Sequence, residues 1–434
     1  MYSRVAARRP GQLLIAFFLV FSTVVAAEKP SPQARLEWWI QDLEFFARTF
    51  PDVQVDFPKL YNSKKFRKEI DQLELAIPRV SDSEIVLRLM RLVATGRVAH
   101  ISVYPQADLK LHPYPVRFFW YSDGPAVTNA KEEYKSGLGA RIVRIGSMTP
   151  EQLEAAVAPY LSHENTPWLH ALSPDFMLTQ EVAEHFGLSA PDGSIELSLV
   201  RPTGEPLQLH ITPAADYPTL LSAAQARSAP VSLMNKRPGE AYWYEYLADS
   251  HALYIQYNRC MNDRKKWFLT FTRELFGFVD GLPPSQHIDR VIIDLRSNRG
   301  GDSRVVEPLV EGLLARRELA ARGHLYVLTS RYTFSAGMMA AVELRDRLHA
   351  IVVGEPSGSP PNEYAAVDSF VLPNSKIEVE YAKRYIRLLK DSDPPTLEPD
   401  VPVSRSVTEF LNGSDRVLET ALQYQMEAQN AGSK

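Results

Sequence analysis

From His251 onward the chain switches regularly between two apolar patterns. "HALYIQY" reads as a strand, and "KWFLTFTRELFGFVDG" repeats its apolar residues at helical spacing. "RVIIDL" is a run of apolar residues that only Asp294 interrupts late, the mark of a central strand buried on both faces. "VVEPLVEGLLARRELAA" is helical, "HLYVLT" a strand, "SAGMMAAVELRDRL" a helix and "AIVVG" a strand. Such β-α-β-α-β-α-β alternation leaves few architectures open. It predicts an α/β core, a largely parallel sheet covered by helices. Ligands of such sheets sit beyond the carboxyl ends of the strands. The turns at 296–302 and 329–336 lie at two of those ends.

The rest of the 434-residue chain is organised differently. At this length more than one domain is expected. "MYSRVAARRP" carries Arg4, Arg8 and Arg9; an uncharged run, "LLIAFFLVFSTVVAA", follows and closes on small residues before Glu28. A basic start, a short apolar stretch and a small-residue exit predict an export signal over 1–27, in place of an uncleaved anchor of about 20 residues. The chain is therefore expected in the periplasm or the medium, with no stable membrane anchor. From Ser31 to Phe50 the residues Leu36, Trp39, Ile40, Leu43, Phe46 and Phe50 mark one helical face, which Pro51 is expected to stop. "SDSEIVLRLMRLVATG" is a second helix with a capping-box signature at Ser81 and Glu84. Residues 28–96 thus read as a helical unit, and 97–112 as a strand segment around His100. Residues 113–214 mix strands, a helix beginning near Thr149 and a hairpin around "PTGEP", which suggests an α+β module. Residues 215–250 show no regular pattern. The core spans 251–425, with a tail over 426–434.

Net charge is −4, with 45% hydrophobic and 23% charged residues, so nothing suggests a nucleic-acid partner. Cys260 is the only cysteine, so an internal disulfide is excluded. The ten histidines are scattered without metal-ligand spacing, and neither metal nor cofactor is expected.

The chemistry gathers at the two turns. Ser335 follows a strand and opens a helix, where peptide N–H groups lack partners and negative charge is favoured. By itself it reads first as a helix cap, the commoner role of a serine there, and second as a nucleophile whose oxyanion would meet the Ala336 N–H. In "DLRSNRGGDS" the adjacent glycines allow a sharp turn and close approach, so Gly300 or Gly301 is a second donor candidate. His100 is a candidate base.

These segments together resemble the tail-specific (C-terminal-processing) serine peptidase family, closer to its branch with the tricorn core and the interphotoreceptor retinoid-binding repeats. The carriers are "VIIDLRSNRGGDS", "LTSRYTFSAG", "VVGEPSGSPPNEY" and "LEPDVPV", in that order, with "GSDRVLETAL" resembling the closing helix. The resemblance implies a ClpP/crotonase-like ββα spiral core and a PDZ-like character for 113–214. Pro360 stands where the serine–lysine branch has its lysine, so no dyad is expected. In the histidine branch the base falls on His100, here flanked by Val98, Ala99 and Ile101 in place of polar residues. The orienting acid falls on Asp393, with Asp391 and Glu398 as rivals. Asn362 is a substrate-contact candidate. The implied activity is hydrolysis of a peptide or protein, with its C-terminus a possible recognition element. A binding protein for a lipid-like or peptide ligand on the same scaffold is the alternative, and hydrolysis of another acyl compound a third reading.

Overall fold

The computed structural model describes residues 30–424 except 107–108, 216–218, 224–225, 227–230, 284 and 322. The proposed signal over 1–27 and the tail from 426 lie outside the described residues. Helices α1 (Pro32–Val53), α2 (Phe57–Leu60), α3 (Ser63–Ala76) and α4 (Asp82–Ala94) come first. Strand β1 (Ser102–Tyr104) follows, then β2 (Val116–Tyr121), β3 (Gly124–Ala130) and β4 (Arg141–Ile145). Helices α5 (Pro150–Val157), α6 (Thr166–Met177) and α7 (Gln180–His185) separate these from β5 (Ile195–Val200), β6 (Pro206–Ile211) and β7 (Leu221–Ser222). The core runs β8 (Tyr242–Leu247), β9 (Ala252–Tyr257), α8 (Phe268–Asp280), β10 (Arg290–Asp294), α9 (Glu307–Leu314), β11 (Leu325–Thr329), α10 (Ala336–Leu348) and β12 (Ile351–Gly354). It closes with β13 (Asn362–Val371), β14 (Glu378–Arg387), β15 (Val401–Pro402), α11 (Val407–Asn412) and α12 (Arg416–Gln423).

The core is an α/β sheet in the order β15-β12-β11-β10-β9-β8, parallel except for the antiparallel edge pair β8–β9. Alternate side chains point to opposite faces of a strand. Leu253, Ile255, Val291, Ile293, Leu325 and Val327 therefore pack under α8, α9 and α10. Tyr254, Ile292, Tyr326, Leu328 and Val353 pack on the other face with Val417, Leu418 and Ala421 of α12. Both faces are covered, which is why these strands read as continuous apolar runs. Arg296 fixes the closing helix: it pairs with Asp294 at 2.6 Å and with Asp415, the α12 N-cap, at 2.6 Å.

Strand β8 falls in the segment whose sequence shows no regular pattern. The helical unit does not stand apart. Its core includes Val103 of β1 and Leu372, Ile377 and Val379 of the β13–β14 hairpin, and the Ala382 N–H donates to Gln54 Oε1 at 2.9 Å. Pro51 does not stop α1, which runs on to Val53; a proline removes one backbone donor, and the tertiary packing of Phe50 outweighs that loss. Residues 116–211 form a five-stranded antiparallel sheet, β2-β3-β4-β5-β6, with its own core. Thr149 caps α5 through a full capping box with Gln152. No described helix is long and apolar enough to cross a membrane.

Candidate active site

Neighbouring parallel strands β10 and β11 pair Asp294 with Leu328, so the turns that follow them emerge side by side. Asn298, fully buried, joins them. Its Nδ2 donates to the Tyr257 carbonyl at 2.8 Å, its Oδ1 accepts the Gly300 N–H at 2.9 Å, and its own carbonyl accepts the Phe334 N–H at 3.0 Å. A side chain at Gly337 would bring its Cβ to 2.4 Å from that carbonyl. At Gly300 a Cβ would stand 2.8 Å from Ser335 Cβ and 3.0 Å from the Ala336 nitrogen. Both glycines are therefore required by the close approach of the two turns.

Ser335 precedes α10 with φ 51° and ψ −129°, and its hydroxyl caps nothing. A non-glycine residue in this region carries strain of about 1–3 kcal/mol, the kind found at functional sites. The surroundings hold the conformation: the Ser335 N–H donates to Ser359 Oγ at 2.8 Å, and its carbonyl accepts the Met339 N–H at 2.9 Å. The helix-cap reading of Ser335 thus covers its position but not its side chain.

Among the described residues, the N–H groups of Ala336 and Gly301 have no acceptor, whereas that of Gly300 is committed to Asn298. Of the two glycines proposed as donors, the structure leaves Gly301 available.

His100 lies in a turn between α4 and β1, not within a strand, because Ile101 N–H closes that turn on the Val98 carbonyl at 3.2 Å. The ring is 7% exposed. It stacks on Phe334, the neighbour of Ser335, with centroids 4.6 Å apart; Phe334 in turn stacks on Trp168 at 3.9 Å. Among the described residues, neither ring nitrogen has a hydrogen-bond partner. Burial pushes the imidazole down to about 4, so it is neutral near pH 7.

The carboxylate beside His100 is Glu363, whose Oε2 lies 3.6 Å from Nδ1. This is roughly half an ångström beyond hydrogen-bonding range. Asp393, the acid expected from the resemblance, instead accepts from Asn362 Nδ2 at 3.0 Å. Of its rivals, Glu398 accepts from Thr396 at 3.0 Å, and neither it nor Asp391 pairs with His100. The reason is the β13–β14 hairpin, which carries Glu363 under the helical unit. Glu363 is fully buried, and burial holds its carboxyl well above the usual range. The Ser359 hydroxyl favours its ionised form. Asn362 is not available to a substrate. Its amide donates to the Leu389 and Ser392 carbonyls at 3.1 and 2.8 Å, besides Asp393, and its Oδ1 accepts the Leu389 N–H at 2.9 Å.

His100 and Ser335 line one cavity of about 600 Å³. Val103, Leu161, Trp168, Leu172 and Val367 make much of its wall apolar, and Arg299 lies at the Ser335 side. The described residues hold no cluster of three or more His, Cys, Asp or Glu able to take a metal.

The path of the chain matches a solved structure, mature CPAF complexed with lactacystin, with a TM-score of 0.61 at 11% identity, covering 89% of this chain and 98% of that one. The chain has the CPAF fold. Mature CPAF solved by itself aligns equally well, at 0.61 and 12% identity over 89% of this chain and 97% of that one. A CPAF point mutant gives 0.59 at 12% identity, over 90% and 99%. CPAF is matched over nearly its whole length, so the helical unit, the inserted sheet and the α/β core are parts of one fold. No family model matches this chain, and no curated protein sequence matches it.

Proposed function

We propose that this protein is a serine peptidase of the tail-specific type, with Ser335 as nucleophile, His100 as general base and Glu363 as the orienting acid. One observation carries the reading. A serine held at a strained, positive-φ strand-to-helix turn shares a cavity with a neutral histidine backed by a buried carboxyl. His100 takes the Ser335 proton as Oγ attacks the substrate carbonyl. The N–H groups of Ala336 and Gly301 receive the oxyanion, a contribution of about 10²–10³ in rate per donor. His100 then protonates the leaving amine, and water releases the acyl group by the same steps in reverse. Glu363, which faces Nδ1, stabilises the imidazolium as it forms. The substrate is a peptide or protein, and the apolar cavity accommodates an apolar side chain. The export reading of 1–27 belongs to this proposal, as does the PDZ-like reading of 116–211, whose sheet edge suits recognition of a peptide C-terminus by strand addition.

The apolar lining and the unbonded His100 also suit a binding protein for an apolar ligand. Incubation with a diverse peptide library, with products identified by mass spectrometry, separates the two. New termini that are absent with Ser335→Ala support the peptidase. An intact library, with an apolar compound extracted from the purified protein, supports the binding protein.

A further inference from the structure

The cavity that holds His100 and Ser335 has a neighbour across the glycine turn. A second cavity, of about 470 Å³, is lined by Asn258, Arg259, Met261 and Ser297, and it shares Arg299 and Gly301 with the first. Arg259 and Arg299 are distant in sequence, and a short parallel bridge brings their segments together. Cys260 pairs with Gly301. The Cys260 N–H donates to the Gly300 carbonyl at 3.0 Å, and the Cys260 carbonyl accepts the Asp302 N–H at 2.7 Å. A side chain at Gly301 would collide with that carbonyl, so the bridge depends on the glycine. One arginine stands just before the bridge on each segment, and both line the same cavity. Arg299 is also held in place. Its guanidinium lies over Tyr332, 4.8 Å from the ring centroid, and over Trp168 at 5.8 Å. Ring faces restrain a guanidinium without neutralising it, and its N–H edge still matches a planar carboxylate. The acids nearby are spent on other cations: Asp302 pairs with Arg304 at 2.7 Å, and Asp175 with Arg117 at 3.5 Å. Among the described residues, no carboxylate lies within ion-pair distance of Arg259 or Arg299. Two like charges facing one cavity repel, and a bound anion relieves the repulsion.

Resting on the peptidase reading above, we propose that Arg259 and Arg299 form a carboxylate-binding subsite, so that the substrate is a peptide carrying an acidic group close to the bond that is cut. Gly301 is the common point. Its N–H is the proposed oxyanion donor, and it borders both cavities. A peptide whose reacting carbonyl lies at Gly301 therefore reaches into the apolar cavity on one side and between the two arginines on the other. An apolar side chain suits the first and a carboxylate the second. Arg299 selects the substrate and takes no part in the proton transfers. Hydrogen bonds to a charged partner are worth about 10–100-fold in preference for the acid over its amide.

The test is cleavage by the full chain of a diverse N-acetylated peptide library, made in two forms, C-amidated and with a free C-terminal carboxyl. Cut sites are read by mass spectrometry. The expected result is enrichment of Asp or Glu over Asn or Gln, by about 10–100-fold, at one fixed position beside the cut in the amidated form. Cutting confined to the free-carboxyl form, at a fixed distance from the end, supports the subsite with the terminal carboxylate as its ligand. Arg299→Glu should turn the preference toward Lys or Arg, a reversal that loss of structural support alone does not produce. Cut sites without acidic preference, or a preference unchanged in Arg299→Glu, overturn the subsite and leave the peptidase standing. A folded wild type that cuts neither form overturns the peptidase reading and the subsite with it. Should Arg299→Glu fail to fold, the wild type decides. Its acidic preference should weaken between about 0.05 and 0.5 M NaCl, as exposed ion pairs do, and a preference indifferent to salt overturns the subsite.

Discussion

The backbone carbonyl of Asn298 accepts the Phe334 N–H at 3.0 Å, and that bond locks the glycine turn against the nucleophile turn. The two turns belong to different β-α units of the sheet. Only the side-by-side exit of β10 and β11 brings them within reach, so the proposed nucleophile and oxyanion donors are positioned by the same strand register.

Gly300→Ala should therefore damage the site directly. The added Cβ stands 2.8 Å from Ser335 Cβ, at a backbone φ of 103° that alanine disfavours. The labelling rate should fall by about 10²–10³, with a lowered Tm. A rate within a few-fold of wild type would show that the turns are free to separate.

The choice between the acids is testable by charge removal alone. Glu363→Gln should lower turnover by about 10³–10⁴, the scale at which a triad loses its orienting acid. Asp393→Asn should cost far less, because Asp393 holds Asn362 and not His100. The opposite ranking, read from kcat/KM of both variants, would return the role to Asp393.

The sheet was legible in the sequence because both of its faces are covered. Continuous apolar runs and glycine turns are local signals, and β9 to β12 follow them. The turns that carry Ser335, Ala336 and Gly301 were legible for the same reason, since each follows a strand end. The acid was not. Glu363 stands beside Asn362 in "PPNEY", and its meeting with His100 depends on a hairpin packing beneath α1 and α4. A glutamate directly before the apolar run 364–367 was the available signal.

Strain at Ser335 predicts an exchange of stability for function. Ser335→Gly and Ser335→Ala should both lose labelling. The glycine variant, free to adopt φ 51°, should be about 1 kcal/mol more stable than the alanine variant. Equal Tm values would show that the turn is unstrained.

His100 makes folding acid-sensitive. Its folded value is lowered to about 4 from 6.5, so between those values the unfolded chain binds more protons. Its contribution is complete above about pH 6.5 and is lost as pH falls toward 4. Urea unfolding of His100→Phe, which keeps the stack on Phe334, should show a shallower loss across pH 6.5–4 than wild type. Parallel curves would mean that the ring titrates freely.

The most direct measurement is labelling of the full chain by a fluorophosphonate, mapped by peptide mass spectrometry, beside Ser335→Ala and His100→Ala. Modification at Ser335 in the wild type, and in neither variant, is the predicted result. A folded wild type that stays unlabelled, or carries the label on another residue, would contradict Ser335 as the nucleophile.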